Sequence, residues 1–208
     1  MATLMLTLFG HARALAGRVR RLAGRSARLT ESVILVPVCN ADSSVLGQGL
    51  ARRGLPAHIT LIYPFLPPGL LQPAMIQTLA SFFAGTPRFT FDLLSVAGFP
   101  NVVYMVPVPG EPFIELIVGL TRLFPETPPY GGAFPLIVPH VTVAESADPL
   151  VLDKAALHAS KALPIHALAT EAWLMTGNNG SWRRVADFPL GRLSNTFMAG
   201  AIAESSSK

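Results

Sequence analysis

The sequence predicts an α+β fold of antiparallel strands with flanking helices, in two halves that share a cleft. Short β-branched runs alternate with amphipathic segments, and turn signals join some neighbouring runs directly. One histidine motif also occurs twice, in corresponding places of two halves. Because direct turns join antiparallel strands, the pattern disfavours a doubly wound parallel sheet.

The elements follow from periodicity and from the residues that end each run. Strands are predicted where short apolar runs end at Pro, Gly or Asn, at 33–38, 57–63, 89–96, 102–108, 138–143, 165–175 and 181–188. Helices are predicted where apolar residues recur every three or four positions, at 43–53, 70–84, 112–124 and 149–161. The sequences G-F-P-N at 98–101 and G-N-N-G at 177–180 predict hairpin turns.

The chain is predicted to have three parts: a basic amphipathic extension at 1–30, the bilobal domain at 31–192, and a tail at 193–208. The extension has six arginines and no acid, so the rest has two more acidic than basic residues. A body of this charge favours a nucleotide or an RNA end over long RNA. The extension lacks the charge order of a secretory signal; a mobile segment, an organellar transit peptide and a surface-lying helix remain open.

The composition also limits the class of protein. Half of the residues are apolar, but no run approaches the roughly 18 apolar residues of a membrane span, so stable membrane insertion is not expected. Cys39 is the single cysteine, which excludes a disulfide framework and a paired-cysteine metal site. We expect a buried structural thiol at this position, a cytoplasmic location and a monomeric protein.

The repeated motif reads A-H-I-T-L-I-Y at 57–63 and V-P-H-V-T-V at 138–143. Side chains alternate between the faces of a strand, so each histidine shares a face with the threonine two positions later. The candidate site residues are therefore His58 with Thr60 and His140 with Thr142. The other histidines lack this pattern and are assigned surface or structural roles: His11, His158 and His166.

Two facing imidazoles suit phosphodiester hydrolysis, which needs both a base and an acid near neutral pH. The threonine hydroxyls can donate hydrogen bonds to non-bridging phosphate oxygens. Neither motif contains the third ligand that zinc requires, so no metal or other cofactor is expected. A second interpretation remains, in which both histidines are core residues bonded to the backbone.

The two motifs resemble the paired H-x-T-x motifs of the two-histidine phosphoesterase superfamily, in particular its 2'-5' RNA ligase-like branch. The resemblance covers roughly residues 32–191 and includes P-P-Y-G-G before the second motif. It implies a bilobal, pseudo-twofold-symmetric arrangement of antiparallel sheets with flanking helices, in which the two motifs face each other across a central cleft. It also implies that His58 and His140 are the catalytic pair and that Thr60 and Thr142 bind phosphate. It further implies metal-free opening of a 2',3'-cyclic phosphate or cleavage of a related RNA-type diester, and 2'-5' ligation in some members. The orientation adopted has His140 as base and His58 as acid.

The sequence departs from a simple phosphate site because no basic residue closely follows either motif. Further phosphate contacts would come from the backbone or from distant arginines such as Arg52, Arg53 or Arg183. Aromatic residues near the motifs either stack a base or pack internally, and these are Tyr63, Phe65 and Tyr130. The expected partner is a ribonucleotide cyclic phosphate or an RNA end. A non-catalytic binding module using the same cleft is the alternative function.

Overall fold

The computed structural model describes residues 31–45, 54–178 and 181–192 as an eight-stranded antiparallel sheet with flanking helices. The strands are β1 Glu31–Pro37, β2 His58–Ile62, β3 Phe89–Phe99, β4 Val102–Val108, β5 Val141–Glu145, β6 Ile165–Ala169, β7 Glu171–Asn178 and β8 Ser181–Pro189. The helices are α1 Asp42–Val45, α2 Pro73–Ala84, α3 Glu111–Leu123 and α4 Pro149–Ser160. The predicted extension 1–30, the tail 193–208 and positions 46–53 of the first predicted helix lie outside the described residues.

The strand order β6-β3-β4-β5-β2-β1-β7-β8 divides between β5 and β2 into two halves of four strands. The halves meet where Ile59 of β2 pairs with Val141 of β5. Helix α1, between β1 and β2, packs on β5, whereas α3, between β4 and β5, packs on β2. Each of these two helices therefore packs on a strand of the other half, as expected for two halves related by a pseudo-twofold axis. The α+β prediction is confirmed, and the two predicted sheets are halves of a continuous one.

Both predicted hairpins are present. Phe99 pairs with Val102 across a two-residue turn, in which Asn101 takes the left-handed conformation with φ 66°. At the other hairpin Asn178 pairs with Ser181, so positions 179–180, themselves outside the described residues, form the connection. Asn-Gly at such a two-residue connection is the preferred hairpin sequence.

The prediction of a single strand at 165–175 is wrong. The structure divides this segment into β6, which pairs with β3, and β7, which pairs with β1 and β8. Thr170 alone separates them, although the two strands lie far apart in the strand order. Since two Cα steps span at most about 7.6 Å, the sheet must curl until its two halves approach at Thr170.

The core occupies the helix-packed face of the sheet. Central strand β1 is buried on both faces: Ile34 and Val36 point toward the helices, while Val33 and Leu35 join a small cluster on the other face. We call this other face the open face. It is the face expected from strand alternation for His58, Thr60, Tyr104 and Thr142, because their strand neighbours are buried against the helices.

Replacement of Phe113 by alanine is expected to lower the free energy of unfolding by about 3 to 5 kcal/mol. Phe113 of α3 is fully buried, and its ring lies edge-on to Phe89 and Phe91 at centroid distances of 5.0 and 4.9 Å. Urea unfolding measures the change. Val118→Ala is the control on the same helix, because Val118 is 41% exposed and should change stability by about 0.5 kcal/mol or less. Equal losses in the two variants would contradict this account.

Candidate active site

The two His-Thr motifs lie on adjacent strands at the junction of the two halves. His58 is the first residue of β2. The strand predicted at 138–143 begins only at Val141 in the structure, so His140 immediately precedes β5. Antiparallel partners step in opposite directions from the Ile59–Val141 pair. The register therefore places His58 level with Thr142, and Thr60 level with His140.

The two imidazoles are held by the same local hydrogen bond. Nδ1 of His58 lies 2.8 Å from the carbonyl oxygen of Pro56, and Nδ1 of His140 lies 2.7 Å from that of Val138. A carbonyl oxygen only accepts, so Nδ1 carries the hydrogen in both rings. In the neutral form, each ring therefore has its lone pair on Nε2, the nitrogen suited to accept a proton.

Burial lowers the pKa of both histidines from the ordinary value of 6.5. The carbonyls of Pro56 and Val138 oppose this shift, because they stabilise the protonated rings. The pKa of His58 is lowered further by the charge of His140 and raised slightly by Asp42. The Asp42 carboxylate accepts a hydrogen bond of 2.6 Å from the amide of Ala57, next to His58.

Aromatic rings surround His140. The centroid of its ring lies 5.5 Å from that of Phe99, with the rings edge-on, and 5.1 Å from that of Tyr104. The Phe99 and Tyr104 rings stack with a centroid distance of 4.3 Å. Tyr104 also pairs with Thr142 in the β4–β5 register. Sequence reasoning did not select these two aromatic residues. Alternation along the predicted strand at 102–108 is the sequence signal that could have identified Tyr104, because it places Tyr104 on the face opposite Met105, which the structure buries.

The structure brings the two predicted tyrosines together beyond the end of β2. The amide of Tyr130 donates to the carbonyl oxygen of Tyr63 over 2.6 Å. The Tyr63 hydroxyl donates to Glu31 over 2.8 Å, and its ring lies edge-on to Trp182. Burial raises the pKa of Tyr130 to about 12. Phe65 is buried in the core, as expected from the packing interpretation.

An arginine on β8 also reaches the open face. Arg184 pairs with Met175, a member of the open-face cluster, and its guanidinium carbon lies 4.4 Å from the ring centre of Trp173. Strand alternation directs Arg183, the arginine named from the sequence, to the other face. Arg52 and Arg53 lie outside the described residues.

The remaining polar residues have other surroundings. Cys39 is exposed, so the prediction of a buried thiol is wrong, although partial burial raises the pKa of this thiol. Nε2 of His158 contacts the carbonyl oxygen of Ser43, and Nδ1 of His166 lies 2.7 Å from Asp92.

Within the described ranges, no three His, Cys, Asp or Glu side chains are grouped to hold a metal ion. No helix in these ranges is long and apolar enough to cross a membrane.

An α+β sheet of two equivalent halves, with a His-x-Thr motif from each half at their junction, defines a two-histidine phosphoesterase architecture. The chain belongs to the 2'-5' RNA ligase superfamily, whose family model matches residues 45–181. This confirms the resemblance seen in the motifs. Membership supports a phosphoesterase or ligase-like enzymatic activity.

Solved structures share the fold. TT0787 of Thermus thermophilus aligns with a TM-score of 0.52 and 19% identity, covering 78% of this chain and 98% of that one. E. coli LigT in its apo form aligns with a TM-score of 0.51 and 14% identity, covering 80% of this chain and 100% of LigT. A sequence comparison with curated proteins gives no significant match.

Proposed function

We propose that the protein is a metal-independent phosphoesterase that hydrolyses a 2',3'-cyclic phosphate or a related phosphodiester of a ribonucleotide or RNA end. The observation that carries the proposal is the pair of histidines at the β2–β5 junction, each held through Nδ1 so that Nε2 is the proton-accepting nitrogen. A diester hydrolase needs one group to take a proton from water and another to give one to the leaving oxygen. Two such imidazoles supply both functions.

In the proposed reaction, Nε2 of His140 takes a proton from water as the water oxygen attacks phosphorus. The bond from phosphorus to a ribose oxygen breaks, and protonated His58 gives its proton to that oxygen. A phosphate monoester and a ribose hydroxyl result, and transfer of the proton from His140 to His58 through solvent restores the starting state. The Asp42 carboxylate lies on the His58 side of the site, where it accepts a hydrogen bond from the amide of Ala57, and its charge opposes the lowering of the His58 pKa by burial and by His140.

Thr60 and Thr142 are proposed to donate their hydroxyls to the non-bridging phosphate oxygens. They lie one on each strand, so the phosphate would be held from both sides of the junction. Such donors stabilise the negative charge that accumulates on these oxygens in the transition state. The same proton transfers would serve 2'-5' ligation if a ribose 5'-hydroxyl replaced water.

Phosphorus NMR of 2',3'-cyclic nucleotides and of RNA ending in a cyclic phosphate tests the proposal, with EDTA present. We expect a monoester signal with the wild-type protein, and its position identifies the leaving oxygen. The proposal is overturned if the folded protein opens neither substrate. Binding of these ligands without turnover would instead support the binding-module function.

The pH dependence of kcat/KM is expected to be bell-shaped, with its maximum below about pH 6.5. The active form carries one neutral and one protonated histidine, and burial lowers the pKa of both below 6.5. Initial rates at low substrate concentration between about pH 4 and pH 9 measure the profile. A maximum above about pH 7.5 would contradict the assignment.

Loss of the fold at low pH must be separated from this profile. A histidine whose pKa is lower in the folded state stabilises the protein fully above its unfolded-state pKa, here 6.5. This stabilisation is lost as the pH falls through the folded-state pKa. Circular dichroism recorded at each pH provides the control.

A further inference from the structure

We propose that a cavity between the end of β1, β6 and the start of β7 binds the nucleoside part of the substrate, with Trp173 as the surface on which the base stacks. This inference rests on the proposed function and adds the substrate class and the direction in which the substrate lies. It places the base on the His58 side of the site, where β6 of one half of the sheet meets β1 and β7 of the other.

The cavity has a volume of about 520 Å³, within the range of small-molecule sites. Its lining residues are Pro37, Cys39, Asn40, His166, Ala167, Leu168, Thr170, Glu171 and Trp173. Pro37 pairs with His58 in the β1–β2 register, so the cavity begins one strand spacing, roughly 5 Å, from the His58 backbone. A nucleoside placed there can present a ribose oxygen to the histidine assigned as acid.

The ring of Trp173 is held in place on the open face. Its neighbours Ala172 and Leu174 are buried in the core, and its Nε1 donates to Glu171 over 2.7 Å. The guanidinium of Arg184 covers the ring at 4.4 Å. A ring already ordered by these contacts loses little freedom when a base stacks on its remaining exposed surface.

Trp173 also lies at a suitable distance from the phosphate-binding threonines. Leu35 pairs with Thr60 on one side and with Trp173 on the other. The Thr60 and Trp173 backbones are therefore two strand spacings apart, roughly 10 Å. This separation accommodates a ribose between a phosphate at Thr60 and a base at Trp173.

The Glu171 carboxylate in the cavity lining disfavours a second phosphate, whereas the Arg184 guanidinium lies over Trp173 and is not part of the lining. The Glu171 carboxylate lines the cavity and would repel a phosphate group, but it can accept hydrogen bonds from a ribose hydroxyl or a base N–H. Pro37 and Leu168 add apolar surface. The cavity thus combines a flat aromatic surface, apolar walls and an acceptor, whereas the threonines lie outside it on β2 and β5.

The experiment compares Trp173→Ala with wild type on two substrates, a nucleoside 2',3'-cyclic phosphate and glycerol 1,2-cyclic phosphate, which has no base. Stacking contributions predict a loss in kcat/KM of roughly 5- to 150-fold on the nucleotide. On the base-free substrate we expect a change of about twofold or less. Leu157→Ala, at a 60% exposed position on α4, is the control and should change neither rate.

Equal losses on both substrates would overturn the proposal, because they would indicate a structural role for Trp173. Unchanged rates on both would also overturn it. Fluorescence provides a readout without turnover, since the chain has two tryptophans. A nucleoside 3'-monophosphate should quench the wild-type emission, and Trp173→Phe should abolish the quenching.

The two proposals fail in distinguishable ways. If the folded wild-type protein hydrolyses neither substrate, the proposed hydrolase function fails. Quenching that depends on Trp173 would then still support the nucleoside site, whereas unchanged quenching in Trp173→Phe, or none in wild type, would overturn it.

Discussion

Replacement of either His58 or His140 by alanine is expected to lower kcat/KM for a 2',3'-cyclic nucleotide by at least about a hundredfold. Each variant removes one of the two proposed proton-transfer groups while leaving the strand pairing in place, since His58 lies on the open face and the His140 ring contacts Tyr104 of that face. Steady-state rates measured with circular dichroism of each variant test this expectation. Unchanged turnover in folded His58→Ala would refute the proposed mechanism.

His158→Ala is the matched control for this experiment. His158 lies on α4, where its imidazole contacts the Ser43 carbonyl oxygen, and it is expected to leave kcat/KM unchanged. Activated substrates then separate acid from base. A nucleoside 3'-(4-nitrophenyl phosphate) has a leaving group that needs no protonation, so the acid variant, His58→Ala, should recover most of its rate while His140→Ala remains slow. The reverse result would exchange the two roles.

Removal of a threonine hydroxyl is also expected to have a large effect. Thr60→Val and Thr142→Val should each lower kcat by about a hundredfold to a thousandfold, the loss typical of removing a donor to a developing oxyanion. Valine keeps the shape of threonine but donates no hydrogen bond. Single-turnover rates with saturating enzyme measure the effect on the chemical step.

Serine variants are the matched comparison. Thr60→Ser and Thr142→Ser retain the hydroxyl and should keep kcat within about tenfold of wild type. If the valine variants are as active as the serine variants, the hydroxyls do not bind phosphate and the proposed role of the threonines is wrong.

Much of the fold was predictable because its signals are local. Asn-Gly at 179–180 identified the β7–β8 hairpin, and spacings of three and four residues identified α3 through Phe113, Leu116 and Leu120. The break at Thr170 was not predictable, because a period of two indicates which face a side chain occupies and does not indicate which strand lies alongside. The pairing of β6 and β7 with different strands is a long-range property.

The candidate site was predictable in part for the same reason. Each His-Thr motif is contained within a few residues, and its repetition indicated that the two copies act together. The cavity was not predictable, since its walls come from positions 37–40 and 166–173, more than 120 residues apart. The Arg184–Trp173 contact depends on the β7–β8 register, which shifts between Leu174 and Met175. Counting along β8 alone does not give this shift.

The single-residue connection at Thr170 has a consequence for how ligands enter. The halves of the sheet are joined at the β2–β5 junction and again at Thr170, which also lines the cavity. Because the two halves of the sheet are connected at two places, they cannot separate by rotation about a single hinge. We therefore expect ligand selection to depend on the width of the cleft entrance. It should depend little on closure of the two halves around the ligand.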